Sequence, residues 1–215
     1  MAVITDNLGF LLGGLLVTLG LTVLGFAGAL VIGTVLAVFR VSPIAPLRWV
    51  GACYVEVLRN MPLLTLLVLV VFGLPDIGVR FSLFTSAAIC MAVFAGAFMC
   101  EAVRGGINTV PVGQAEAARS IGLTFTQNLR YVILPQAFRG AIVPLGNTVI
   151  ALTKNTTVVA VIGVAEIAYL TATMMENDPQ LLVWIFLTVA LGFVVLTLPI
   201  GLATTHFGRK LAVLR

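Results

Sequence analysis

Charge is what this sequence has least of. Of its 215 residues, 9% are Asp, Glu, Lys or Arg and 60% are hydrophobic, whereas soluble domains carry about 25% charge. Mean hydropathy is +1.17. That balance excludes a water-soluble globular fold, and a single membrane domain over residues 1–215 is expected. No Pro/Ser-rich linker, charge block or low-complexity tract marks a second domain. The one histidine, His206, sits at the polar end of the last apolar run and reads as an interfacial residue. There is no Ser-His-Asp set and no carboxylate dyad, so no catalytic residue is expected. The GxxxxGK[ST] pattern is absent, so the chain is not itself an ATPase. Cys53, Cys90 and Cys100 are neither paired nor spaced like metal ligands. They read as small buried apolar residues, and no metal site is expected. The net charge of +4 is spread over several loops rather than gathered on one face, which excludes a nucleic-acid footprint.

What is there in abundance is long apolar runs. Asn7 to Phe39, Phe81 to Cys100 and Pro179 to Gly208 carry no charge, and about 20 apolar residues cross a bilayer. Two further runs are interrupted: residues about 46–74 contain Glu56 and Arg59, and residues about 138–165 contain Lys154. Five transmembrane helices are expected, all-α. The first run lacks a basic flank and is too long for a secretory signal. Arg40, Arg48, Arg104, Arg119, Arg130, Arg139, Arg209, Lys210 and Arg215 make nine of the twelve basic residues, and all fall on one side of the expected bundle. Asp6, Asp76, Glu176 and Asp178 fall on the other, with Arg80. The basic side is expected to be cytoplasmic, with the N-terminus outside and the C-terminus inside. Gly25, Ala29, Gly33 and Ala37 repeat every fourth residue, as do Ala88, Ala92, Gly96 and Cys100. Such stripes let helices approach closely in lipid.

One polar segment interrupts this chain. Between Glu101 and Arg139 lie Arg104, Glu116, Arg119 and Arg130. The segment carries its own helix signals. Pro111 suits a first turn, Ala115, Ala117 and Ala118 favour helix, and Gly122 stands where a left-handed cap is expected. Thr124 or Thr126 can cap a second helix. A short helix with small residues on one face, beside Glu116 and Arg119, suits a groove on another protein.

The spacing within this segment is specific: Glu116-Ala117-Ala118, then Gly122, then Val132, Leu134 and Pro135. It resembles the cytoplasmic EAA loop of the membrane subunits of binding-protein-dependent ABC importers. TKNTTVVAVIGVAEI, Thr153 to Ile167, and RNMPLL, Arg59 to Leu64, are similar to segments of the polar amino-acid branch of that family, of the histidine/glutamine/glutamate type. Asn60 and Met61 stand where that branch has Gly and Thr. The resemblance implies a type I ABC importer permease fold in the bacterial inner membrane, with a coupling loop at about residues 104–138. It implies that Glu116, Ala117, Ala118, Arg119 and Gly122 meet a dimer of ABC ATPase subunits, which binds the ATP and Mg. It also implies a second permease subunit, identical or homologous, and an extracytoplasmic amino-acid-binding protein.

Two basic residues lie deep in apolar runs. Arg59 is roughly thirteen residues into the second and Lys154 roughly fifteen into the fourth, near mid-depth at about 1.5 Å per residue. Such charges are costly, about 2.5–3.5 kcal/mol on insertion scales, and usually face a cavity or a partner. Pro62 breaks the helix after Arg59 and Asn60, and Lys154, Asn155, Thr156 and Thr157 mark a second break. Broken helices at mid-depth recur as transporter binding sites, so Arg59, Asn60, Lys154, Asn155 and Thr156 are candidates for the substrate path. Alternatively, Glu56 neutralises Arg59 three residues away, and Lys154 caps the carbonyls of its broken helix. The expected function is the permease subunit of an ATP-driven importer of glutamate, glutamine or a related polar amino acid, working by alternating access. An ion-coupled secondary carrier and a non-transporting scaffold are the other readings.

Overall fold

The computed structural model describes residues 8–211. Asp6 and Asn7 at one end and Arg215 at the other, part of the runs and charges above, lie outside the described residues. The first span is α1, Leu8–Val41, and the third is α4, Leu83–Asn108, longer than its charge-free core. These two helices pack along most of their length through the two stripes of small residues. A Cβ added at Gly28 would lie 2.6 Å from the Ala92 Cβ, and one at Gly33 would lie 2.8 Å from the Cys100 amide nitrogen. One at Gly96 would lie 2.8 Å from Ile32 Cγ2. The two stripes therefore meet at Gly33 and Cys100, while Ala92 and Gly96 pack on Gly28 and Ile32 beside the α1 stripe, and the backbones come as close as glycine allows. Leu21, Ala29, Met91 and Met99, all fully buried, fill the core beside this seam.

The second run is not one rod. α2, Ala45–Asn60, and α3, Leu63–Val68, meet at a bend of 101°. Pro62 has no N–H to donate and disfavours helix in the residue before it, and Met61 is accordingly extended, at φ −99 and ψ 137. α3 continues through a π turn, Leu69–Gly73, and a 3-10 turn, Leu74–Ile77. Among the described residues, four helical stretches are long and apolar enough to span a membrane, and the bent pair, taken as one span, makes a fifth.

After α4 come two short helices, α5, Val112–Ser120, and α6, Phe125–Asn128. α7, Leu134–Asn155, is the fourth span. It passes into a 3-10 stretch, Thr156–Ile162, which stops at Gly163 with φ +85. The α-helical winding thus ends directly after Asn155 and tightens to 3-10, and the span expected to be interrupted at the polar run continues to Ile162 without a bend. A short helix absent from the sequence reading follows, α8, Ile167–Asn177. α9, Leu182–Leu211, closes the bundle. The cysteines divide: Cys90 and Cys100 are buried as expected, while Cys53 is exposed.

Candidate functional site: a polar loop and a cleft

The polar loop is held by short-range bonds. α5 ends in a Schellman arrangement: the Leu123 amide donates to Ala118 O at 3.1 Å and the Gly122 amide to Arg119 O at 2.9 Å. This geometry requires a left-handed residue, and Gly122 has φ +84. Pro111 sits one place earlier than expected, as the N-cap residue of α5. Thr124 begins α6 with a reciprocal capping box: its Oγ1 accepts from the Gln127 amide, and Gln127 Oε1 accepts from the Thr124 amide. One long-range bond joins the two helices. Buried Asn128 donates through Nδ2 to Ala115 O at 2.9 Å. Of the residues the sequence singles out here, Glu116, Ala117, Arg119 and Gly122 are exposed, and Ala118 is buried as the contact toward the loop's interior. Val112, Ile121 and Phe125 stand beside them at 71%, 78% and 76% exposure. An apolar and charged surface is left uncovered by the chain's own residues.

The second feature is a cleft of about 310 Å³ between α4 and α7. Phe94 and Phe98 form one wall, their centroids 5.3 Å apart. Asn147, Thr148, Ala151 and Asn155 line the other. The Arg59 guanidinium lies 5.7 Å from the Phe98 centroid, in cation–π range. So the end of α2, before the bend, and the end of α7 converge on one cavity. Among the five path candidates, Asn155 lines the cleft and Arg59 touches its wall through Phe98. Asn60, Lys154 and Thr156 do not line it.

Both alternative roles for the deep cations fail on the geometry. Glu56 and Arg59 form no ion pair among the described residues. Asn60 Nδ2 donates to the Glu56 main-chain carbonyl at 2.7 Å and reaches that carboxylate only at 3.4 Å from Oε2. Lys154 is exposed, and the last carbonyls of α7 are served by hydroxyls. Thr156 Oγ1 donates to Thr153 O and Thr157 Oγ1 to Lys154 O, both at 2.8 Å. The helix end is therefore capped without the lysine, and Thr156, fully buried, is spent on that cap.

Sequence reasoning missed Asn147 and Thr148. The signal was present, since 147, 151 and 155 are four apart and share one face of α7. It also missed Glu166, which is fully buried. Glu166 caps α8, accepting from the Tyr169 amide at 2.8 Å and from Thr18 Oγ1 of α1 at 3.4 Å. Burial pushes its carboxyl above the usual range, opposed by the amides of Ala168 and Tyr169 and by Thr18. A lone carboxylate in an apolar run was the available sign.

The model of the family "Binding-protein-dependent transport system inner membrane component" matches residues 29–213. The glutamate transport system permease protein GluC of Corynebacterium efficiens is 43% identical over 209 residues, covering 92% of each chain. The probable glutamine ABC transporter permease protein GlnM of Bacillus subtilis is 35% identical, covering 98% of this chain and 97% of that one. Among solved structures, an amino acid ABC transporter crystallised with histidines superposes with a TM-score of 0.89 at 32% identity, over 97% of both chains. The MetNI methionine ABC transporter in an inward-facing form superposes at 0.77, with 26% identity over 97% of this chain and 99% of that chain.

Proposed function

Because the chain belongs to the family of binding-protein-dependent transport system inner membrane components, we propose that it is the multi-pass permease subunit of an ATP-driven importer of glutamate, glutamine or a related polar amino acid. The chain is not itself catalytic, and ATP is hydrolysed by a separate subunit. Family membership sets aside the secondary carrier and the scaffold. The observation that carries the working reading is the loop from Val112 to Asn128. It is rigidly capped, polar, and exposes Val112, Ile121 and Phe125 around Glu116 and Arg119. A surface of that kind, on a chain that lacks an ATPase motif, suits the groove of an ATPase subunit, with Glu116, Ala117, Ala118, Arg119 and Gly122 at the contact. That subunit, working as a dimer, binds the ATP and Mg.

The remaining assignments follow the same logic. The loop side is cytoplasmic, by the distribution of Arg and Lys. A second permease subunit completes the path, and an extracytoplasmic binding protein delivers the amino acid. Cargo passes the α4–α7 cleft. No carboxylate lines that cleft, whereas Asn147, Thr148 and Asn155 offer amides and a hydroxyl, with the Arg59 cation behind Phe98. Such a lining suits an amino acid with a carboxylate or carboxamide side chain. Lys154 supplies a second cation beside it once the partner subunit encloses the exposed face. The test is uptake into vesicles holding the permease pair and its ATPase, with the binding protein outside, over a panel of amino acids. ATP-dependent uptake of glutamate or glutamine is expected. Uptake that follows an ion gradient and ignores ATP would overturn the reading.

A further inference from the structure

Two side chains of α2 and one of α1 that crosses it reach α4. Arg40, in the last turn of α1, reaches Glu101 of α4 with Nη2 at 3.5 Å from Oε1. Its stem crosses Gly51 of α2, where an added Cβ would lie 3.0 Å from Arg40 Cγ. In the middle of α2, Tyr54 donates to Val93 O at 2.7 Å. At the end, Arg59 covers Phe98. Phe94, Phe98, Glu101 and Arg104 follow one another at helical spacing, so a single face of α4 runs from the cleft to the polar loop.

Glu101 is the charged centre of that face. Arg104 grips it with two nitrogens, Nη2 to Oε2 at 2.6 Å and Nε to Oε1 at 3.2 Å. This pair lies within one helix and persists wherever α4 moves. The Arg40 contact is different, because it joins two helices. The Arg40 and Glu101 side chains expose only 20% and 22% of their surface, and Arg40 Nη1 is buried with no acceptor. Glu101 is therefore the carboxylate on which Arg40 depends among the described residues, and an uncompensated buried charge is strongly unfavourable.

We infer that Glu101 is a positioning residue for transport: by holding Arg40 while bound to Arg104, it makes α1, α2 and α4 move as one body with the polar loop. Loop displacement then reaches the Arg59–Pro62 bend and the cleft wall at Phe98. The glycine seam between α1 and α4, which reaches Cys100 beside Glu101, holds the same two helices together. This inference rests on the reading of the loop as the ATPase contact.

The experiment measures ATP hydrolysed per amino acid imported by the reconstituted importer, with melting temperature as a control. Glu101→Gln keeps the shape of the side chain and removes its charge. Uptake is expected to fall while ATP hydrolysis persists, so that ATP per substrate rises about fivefold or more. A lesion of folding alone would lower both in proportion. Arg40→Gln is expected to act in the same direction. The double variant Arg40→Gln/Glu101→Gln removes both charges together and is expected to be no worse than the poorer single variant. Should Glu101→Gln fail to insert, Arg40→Lys, which keeps the charge, provides the same reading with a smaller rise. An unchanged ratio, a proportional loss of uptake and hydrolysis, or effects of the two single variants that multiply in the double would overturn the role of Glu101. Absence of ATP-driven uptake with the unaltered chain would instead remove the functional reading itself.

Discussion

The polar loop and the α4–α7 cleft are built by opposite means. Every bond that shapes the turn between α5 and α6 spans five residues or fewer: the Gly122 cap, the Leu123 amide to Ala118, the Thr124–Gln127 box. Asn128 alone reaches across, to Ala115. The cleft takes Phe98 from one helix and Asn155 from the end of another, with Arg59 of α2 lying over Phe98. The loop presents a surface that is complete in one chain. The cleft has one open side, and Lys154 next to it is exposed. On the proposed reading, one element meets a soluble partner and the other is completed as a path by a second membrane subunit.

That contrast can be broken by substitution, most severely at the loop. Glu116→Lys reverses an exposed charge that no ion pair holds among the described residues. The fold should not notice it, and the melting temperature should stay within about 2 °C, since exposed substitutions cost within about 0.5 kcal/mol. ATP-driven uptake should fall about thirtyfold or more, as expected when an interface anchor worth 2 kcal/mol is lost. Wild-type uptake in well-inserted Glu116→Lys would show that the loop surface is not the contact.

The cleft should respond in affinity. Because Thr157 already caps the Lys154 carbonyl, Lys154→Ala should leave folding intact. If the ammonium meets a substrate carboxylate, its loss removes a charge-assisted bond of about 1.5–3 kcal/mol, or ten- to a hundredfold in affinity at the transmembrane site. The binding protein's own affinity should be untouched, and so should basal ATP hydrolysis. Uptake with unaltered KM in Lys154→Ala would assign the charge to lipid or to the subunit contact.

The smallest effect expected is at Asn128, where the loop borrows from long-range structure. Asn128→Ala removes the donor to Ala115 O and should cost about 1–3 kcal/mol locally. Hydrogen exchange should quicken across α5 and α6 and remain unchanged in α1 and α4. Protection lost equally in the spans would mean that the loop is not an independent unit.

The two regions were unequally legible in the sequence for the same reason that they respond differently. α5, its Gly122 cap and the Thr124 start could be read because each depends on neighbours a few residues away. Asn155 was singled out through its place in the polar run, but its partners Asn147 and Thr148 were passed over. The Glu56–Arg59 pairing, plausible from spacing, gave way because Arg59 lies over Phe98 of α4 instead. Glu101 was counted as one more loop charge, although it lies on α4 and bridges Arg40 and Arg104.

Apolar length, stripes of small residues, proline at position 62 and glycine at 122 determined the spans, their close packing, the broken second helix and the shape of the loop. These are consequences of bilayer thickness and of backbone geometry, which act over a turn or two of chain. Which way Arg59 points, that Asn155 and Phe98 face one cavity, and that Glu166 reaches Thr18 were decided only when the helices packed. Those contacts join residues tens of positions apart, and their geometry depends on bend angles and helix rotation that no local pattern encodes.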